Sequence, residues 1–198
     1  MHYITDILYW ISTGLLVPVV VLLIYFFLRS LVLLGGWFGH YLDVRRAQSR
    51  LDALTINLDT SGLDGLAQSL PGSKLAVVAS LRRMLQTPDA AHIEKVLADF
   101  ELEAERDTST AKTLSKMGPM LGLMGTLIPM GPALVGLSSG DIASMAYNMQ
   151  VAFATTVIGL FSAAVGFIVL QTKQRWYRRD LNTLEFVANL IEQKQADK

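Results

Sequence analysis

Three hydroxyls, Thr126, Thr155 and Thr156, are the groups in this sequence whose surroundings give them chemical leverage. Each lies in a stretch with no charged residue, 117–137 for the first and 145–170 for the other two. A threonine hydroxyl both donates and accepts a hydrogen bond, so a few of them can ease a polar species along an otherwise apolar wall. The plainer alternative is that each bonds back to a carbonyl one turn earlier in its own helix, which membrane helices tolerate at little cost. Thr126 and Thr156 fall near the middle of their stretches, each on the face that carries glycine and alanine. That pairing favours a narrow polar path, or a seat for a partner helix, over two unrelated neutral threonines.

Small residues surround these hydroxyls at helical spacing. Gly118, Gly122, Gly125, Pro129, Ala133 and Gly136 recur in the first stretch, and Ala152, Thr156, Gly159, Ala163 and Gly166 in the second. Steps of three and four place each set on one helix face. In lipid, burying leucine against a neighbour gains little over burying it in acyl chains, so close backbone approach along small faces is what drives helix packing. The Gly-x-x-x-Gly spacing of 118–122 is weak by itself and helix packing accounts for it. Asn148 and Gln150, at the start of the second stretch, read as hydrated interfacial residues.

What is missing narrows the chemistry further. Neither stretch holds Asp, Glu, Lys or His, although moving protons through a membrane ordinarily needs a titratable relay. If ions pass here, another subunit must supply the carboxylate. There is no cysteine, and His2, His40 and His92 are scattered, so thiol chemistry, disulfides and a metal site are not expected. No P-loop, dinucleotide fingerprint, zincin motif or nucleophile elbow occurs. The sequence reads as a non-enzyme without a cofactor.

The elements that must position the hydroxyls are membrane spans. The chain has 198 residues, 52% of them hydrophobic, in long uncharged blocks. At roughly 1.5 Å per residue, each block suffices for a hydrocarbon core of about 30 Å. A first span covers 7–28. Arg29 closes it, and the glycine-rich apolar piece 30–42 reads as an interfacial segment rather than as more of the span. Segment 43–116 is polar and helical. Ser73 is a candidate cap after the Pro71-Gly72 break, and Thr87-Pro88-Asp89 a candidate start for a long helix running straight into the second span, about 45–50 residues and roughly 70 Å in all. Its acidic run, Glu94 to Asp107, is most simply a solvated face. Spans two (117–137) and three (145–170) are joined by four to seven residues and must form an antiparallel hairpin, and the third continues as a tail helix over 171–198. Lys and Arg number ten in 38–116 and six in 171–198, against none in 1–6 and 138–144. By the positive-inside rule the N-terminus lies outside and the C-terminus in the cytoplasm. The expected fold is therefore an all-α integral membrane protein with three transmembrane helices, the second and third extending into a cytoplasmic bundle.

Two motifs add a resemblance. Gly118-Pro-Met-Leu-Gly-Leu-Met-Gly-Thr126 resembles the second-span signature of the MotA/TolQ/ExbB proton channel family, and Thr155-Thr-Val-Ile-Gly-Leu-Phe-Ser-Ala163 resembles its third-span signature. The likeness is sharp from about Ala111 to Lys173 and topological elsewhere, nearer the ExbB/TolQ branch than the four-span flagellar stators. It implies a pore-forming subunit of an ion-driven channel or motor in the cytoplasmic membrane. It further implies a homo-oligomer, typically a pentamer, around an ExbD-, TolR- or MotB-like single-span partner, a dimer, that carries a membrane aspartate. Thr126, Thr156 and Thr155 would line the path of H⁺ or Na⁺, with Gly118, Gly122, Gly125, Pro129, Ala152, Gly159 and Ala163 as pore wall and packing face. Departures from the pattern at Pro129 and Pro132 imply a kinked or widened outer half of span two. The alternatives are a non-conducting scaffold of the same fold and a small-solute transporter built on the broken helix at the prolines.

Overall fold

The computed structural model describes residues 2–55, 62–70, 72 and 75–196. Six helices follow one another: α1 (His2–Gly14), α2 (Leu16–Thr55), α3 (Leu63–Ser69), α4 (Ala76–Gln86), α5 (Ala90–Ser139) and α6 (Ile142–Ala196). No strand occurs among the described residues. Three helical stretches are long and apolar enough to cross a membrane: Tyr9–Gly39, and the helices Ala90–Ser139 and Ile142–Ala196. The chain is an all-α membrane protein.

Pro18 explains the first break. It has no amide hydrogen to offer the Gly14 carbonyl, so the helix lapses for one residue at Leu15, whose own N–H donates to Ile11 and Ser12. From Leu16 the helix then runs unbroken through Arg29 to Thr55. Residues 30–42 are therefore part of one continuous helix and not a separate piece. The glycines Gly35, Gly36 and Gly39 do not end the helix, since glycine alone costs only about 1 kcal/mol in a helix interior.

Two caps also fall elsewhere than the sequence suggests. Ser73 and Pro71 lie outside the described residues, and α4 starts from Leu75 with no side-chain cap. Thr87 ends α4 instead of starting α5, its N–H donating to the Arg83 carbonyl. The first turn of α5 is closed by Ile93 N–H on the Asp89 carbonyl at 2.9 Å. The long helix itself forms as expected, with Pro119, Pro129 and Pro132 inside it and no break at any of them. Each removes a donor and leaves the carbonyl four residues earlier, Ser115, Gly125 and Ile128, without its helical partner. The α5–α6 turn is tight: Gly140 takes φ +75°, and Asp141 caps α6 by accepting Ser144 N–H at 3.0 Å.

The chain divides into two compact units, Met1–Gly35 with Thr110–Leu170, and Gly36–Ser109 with Gln171–Lys198. In the first, Val19 and Leu23 of α2 pack with Leu121 and Ile128 of α5, supported by Ile158 of α6. In the second, α3 and α4 contribute Leu63, Leu66, Val77, Val78, Leu81 and Met84 to a core shared with Ile93, Val96 and Phe100 of α5 and Leu184, Val187 and Ile191 of α6. That apolar face of α6 is the one its sequence spacing marks.

Candidate functional site

The small residues of α5 and α6 face each other within the chain. A Cβ placed on Gly118 would lie 2.7 Å from the Gly159 carbonyl oxygen and 3.1 Å from the Ala163 Cβ. On Gly159 it would meet Gly122 Cα at 2.8 Å, and on Gly125 it would meet Thr155 Cβ and Oγ1 at 2.6 Å. Such spacings leave room for hydrogen only, so the two backbones touch, as small faces allow in lipid. Further along, Gly166 approaches Leu114 and Gly136 approaches Met145, so one antiparallel register holds through the hairpin. Ala152, Ala163 and Ala133 are buried in the same unit, and Pro129 is fully buried.

The hydroxyls lie in and beside this seam. Thr155 is 5% exposed and wedged against Gly125. Thr156 and Thr126 are half-buried. Thr156 sits where Gly122 comes within van der Waals reach of its backbone, and Thr126 is one turn beyond Gly122 on α5. All three donors are spent within their own helices. Thr126 donates to the Leu123 carbonyl at 2.7 Å. Thr155 and Thr156 both donate to the Ala152 carbonyl, at 2.9 and 3.1 Å. No hydrogen bond joins Thr126 to Thr156. With its hydrogen committed, each oxygen keeps lone pairs free and can only accept. A hydroxyl in that state suits a species that brings its own hydrogen, such as water, hydronium or a protonated carboxyl, or a bare cation.

Two features of this unit do not stand out from the motifs. Ser162 is fully buried, donating to the Ile158 carbonyl at 2.9 Å. It lies seven residues after Thr155 and hence on the same face of α6, a spacing that would have marked it as a fourth hydroxyl of the set. Arg29, the lone charge of its apolar run, donates to Tyr25 Oη at 3.1 Å and to Thr110 Oγ1 at 3.2 Å, tying α2 to α5. A cation in so long an apolar sequence is a signal in itself.

The second unit carries the charged chemistry. Lys173, with a side chain 11% exposed, pairs with Asp107 Oδ2 at 2.7 Å, and Tyr177 donates to the same oxygen at 2.8 Å. Burial first, then the bond to Asp107, pushes the Tyr177 hydroxyl well above its ordinary value, so it stays protonated. These groups line a cavity with Glu103, Trp176 and Asp180. Among the described residues no group of His, Asp or Glu is arranged to hold a metal ion.

The structure therefore presents a hairpin with two charge-free arms, closed on itself along one seam and edged by hydroxyl acceptors, whose two signature sequences form the two sides of that seam. A family model, that of the MotA/TolQ/ExbB proton channel family, matches residues 76–185. No curated protein matches the sequence. The match takes in more than half of the chain, including α4, all of α5 and the whole apolar part of α6: the chain belongs to the MotA/TolQ/ExbB proton channel family.

Proposed function

We propose that this chain is the pore-forming subunit of a channel that couples ion flow, of H⁺ or Na⁺, to mechanical work on an ExbD/TolR-like partner. The observation that carries the reading is the chemistry of the α5–α6 hairpin inside the matched region. It offers hydroxyl acceptors at Thr126 and Thr156, and its two apolar arms, 117–140 and 142–172, hold no Asp, Glu, Lys, Arg or His. A wall of that kind needs a carboxylate brought from elsewhere, and a single-span partner bearing a membrane aspartate is the simplest source. Several copies of the hairpin around that partner, five by family habit, would complete the path.

The segregation of Lys and Arg supports an N-terminus outside and a C-terminus in the cytoplasm, in a cytoplasmic membrane whose potential supplies about 2.3 kcal/mol per charge per 100 mV. On this reading Thr126 and Thr156 accept hydrogen bonds from the partner's protonated carboxyl or from the hydrated ion as it passes. Thr155 and the glycines hold α5 against α6, and Ala152 anchors both α6 hydroxyls. The solute-transporter reading has little to rest on, because α5 is not broken at Pro129 or Pro132.

The test is flux into proteoliposomes holding the chain with its co-purified single-span partner, followed with a pH-sensitive dye under an imposed potential. Thr156→Val keeps the volume and removes the acceptor, so flux should fall about tenfold, the loss of one hydrogen bond of roughly 1–1.5 kcal/mol in the transport barrier. Thr156→Ser should retain it. Unchanged flux in Thr156→Val would reject the pore role of this residue, and absence of any ion-driven flux in the intact complex would favour the non-conducting scaffold.

A further inference from the structure

The second unit has two faces of opposite charge on neighbouring helices, at matching levels. On α5, Glu94, Glu101 and Glu105 recur in steps of seven and four, so they share one side of the helix, with Leu102 beside them. All three carboxylates are exposed, and Leu102 is 55% exposed. On α6, Arg175 and Arg178 follow at a step of three, with Arg179 alongside, and all three are exposed. Like charges one turn apart weaken an isolated helix by a few tenths of a kcal/mol per pair. The two ion pairs described, Lys95–Asp99 and Lys173–Asp107, use none of Glu94, Glu101, Glu105, Arg175 and Arg178.

The levels follow from the register. Asp107 is opposite Lys173, Phe100 is against Tyr177 and Pro88 is hydrogen-bonded by Gln195, so the two helices run antiparallel in step through the unit. Moving two residues along each helix from the Asp107–Lys173 pair reaches Glu105 and Arg175, both about 3 Å away along the axis. Moving five or six reaches Leu102 and Glu101 on one helix, and Arg178 and Arg179 on the other, about 8–9 Å away. Opposite charges are thus level with each other, yet on outward faces.

From this we propose that the acidic face of α5 in one subunit docks on the basic face of α6 in the next copy, Glu105 meeting Arg175 and Glu101 meeting Arg178. The inference rests on the ring reading above and specifies which faces meet. Rotation about an axis parallel to the α5–α6 pair keeps every residue at its own level, so only in a cyclic assembly of that kind do the two rows come into register without a slide. The contact is heterologous, one face on a different face, which is the type that closes a ring. Arginine suits the part, since its fork matches a carboxylate and its stem can cover Leu102.

The full chain in nanodiscs is examined by native mass spectrometry as wild type, as Glu101→Arg with Glu105→Arg, as Arg175→Glu with Arg178→Glu, and with all four changes together. Each paired reversal should weaken assembly at least tenfold, and the fourfold variant should restore it. Because the chain has no cysteine, a second measurement avoids any folding defect: differently tagged Glu105→Cys and Arg175→Cys chains are co-expressed and oxidised. Disulfide-linked pairs should form between unlike chains and not between like ones. A wild type that is monomeric removes the ring reading and this proposal with it. A wild-type ring that ignores the reversals, a fourfold variant that stays dissociated, or crosslinks between like chains overturns the proposal alone. So does a ring that survives the reversals but loses its single-span partner, which would assign these faces to the partner.

Discussion

Single atoms decide how the hairpin closes. Gly159 has no room for a methyl group, with the Gly118 carbonyl oxygen and Gly122 Cα both under 3 Å from where it would stand. Gly131 sits in the same helical hairpin with only a Tyr9 ring carbon, at 4.0 Å, near the equivalent point. Gly159→Ala should therefore destabilise the protein by about 1–3 kcal/mol through overpacking, while Gly131→Ala should leave it unchanged or slightly more stable. Thermal unfolding in detergent checks the contrast, and equal melting temperatures would contradict it. At this scale the sequence is informative about which residues are special and less so about what they face. The small stripes are visible from spacing alone, but spacing cannot say whether a stripe meets the other half of its own hairpin, a partner or an open path. Contact of Gly118 with Gly159 and of Gly125 with Thr155 answers that for the seam. The hydroxyl orientations, each turned to its own helix, are likewise set by local backbone geometry that no residue pattern encodes.

At the scale of elements, the long helices α5 and α6 are legible because forty or more residues of periodic sequence outvote any local signal. The short signals fare worse. Thr87-Pro88-Asp89 has the composition of a helix start, yet Thr87 closes α4 through its backbone N–H, a bond to the Arg83 carbonyl that any residue but proline could make and that composition does not reveal. Arg29 looks like the end of a span, but it finds Tyr25 and Thr110, and a charge with partners need not stop a helix. The tie between α5 and α6 at Asp107, Lys173 and Tyr177 is invisible in sequence because its members are 66 and 70 residues apart. It carries a pH signature. Since the folded phenol ionises above the ordinary value of 10.0, its contribution to stability is complete below that pH and is lost as the pH rises through the folded-state value. The tyrosinate absorbance difference between wild type and Tyr177→Phe should show no half-ionisation at pH 10.0. Asp107→Asn should lower the value, by removing the acceptor charge. A midpoint at 10.0 in the wild type would dismiss the tie.

For the whole molecule, the telling property is that the matched hairpin carries no charge from Met117 through Gly140, nor from Ile142 through Thr172. Fold class is readable from that pattern because membrane insertion dictates it, and the family from the two motifs at 118–126 and 155–163. The work performed is not, because on the proposed reading the acidic half of the device belongs to another chain. Vesicles holding this chain alone should keep an imposed proton gradient as long as empty vesicles do, and those holding it with the partner should lose it. Leakage by the lone chain at the rate of the complex would refute the division of labour. The backbone contacts along the seam add a mechanical corollary. A slip of α5 on α6 by even one residue would drive side chains such as Pro119 or Leu160 into positions where only hydrogen fits. The hairpin is thus a stiff stave that resists shear, and if the proposed ring forms, any stroke of it must be taken up at the joints between staves.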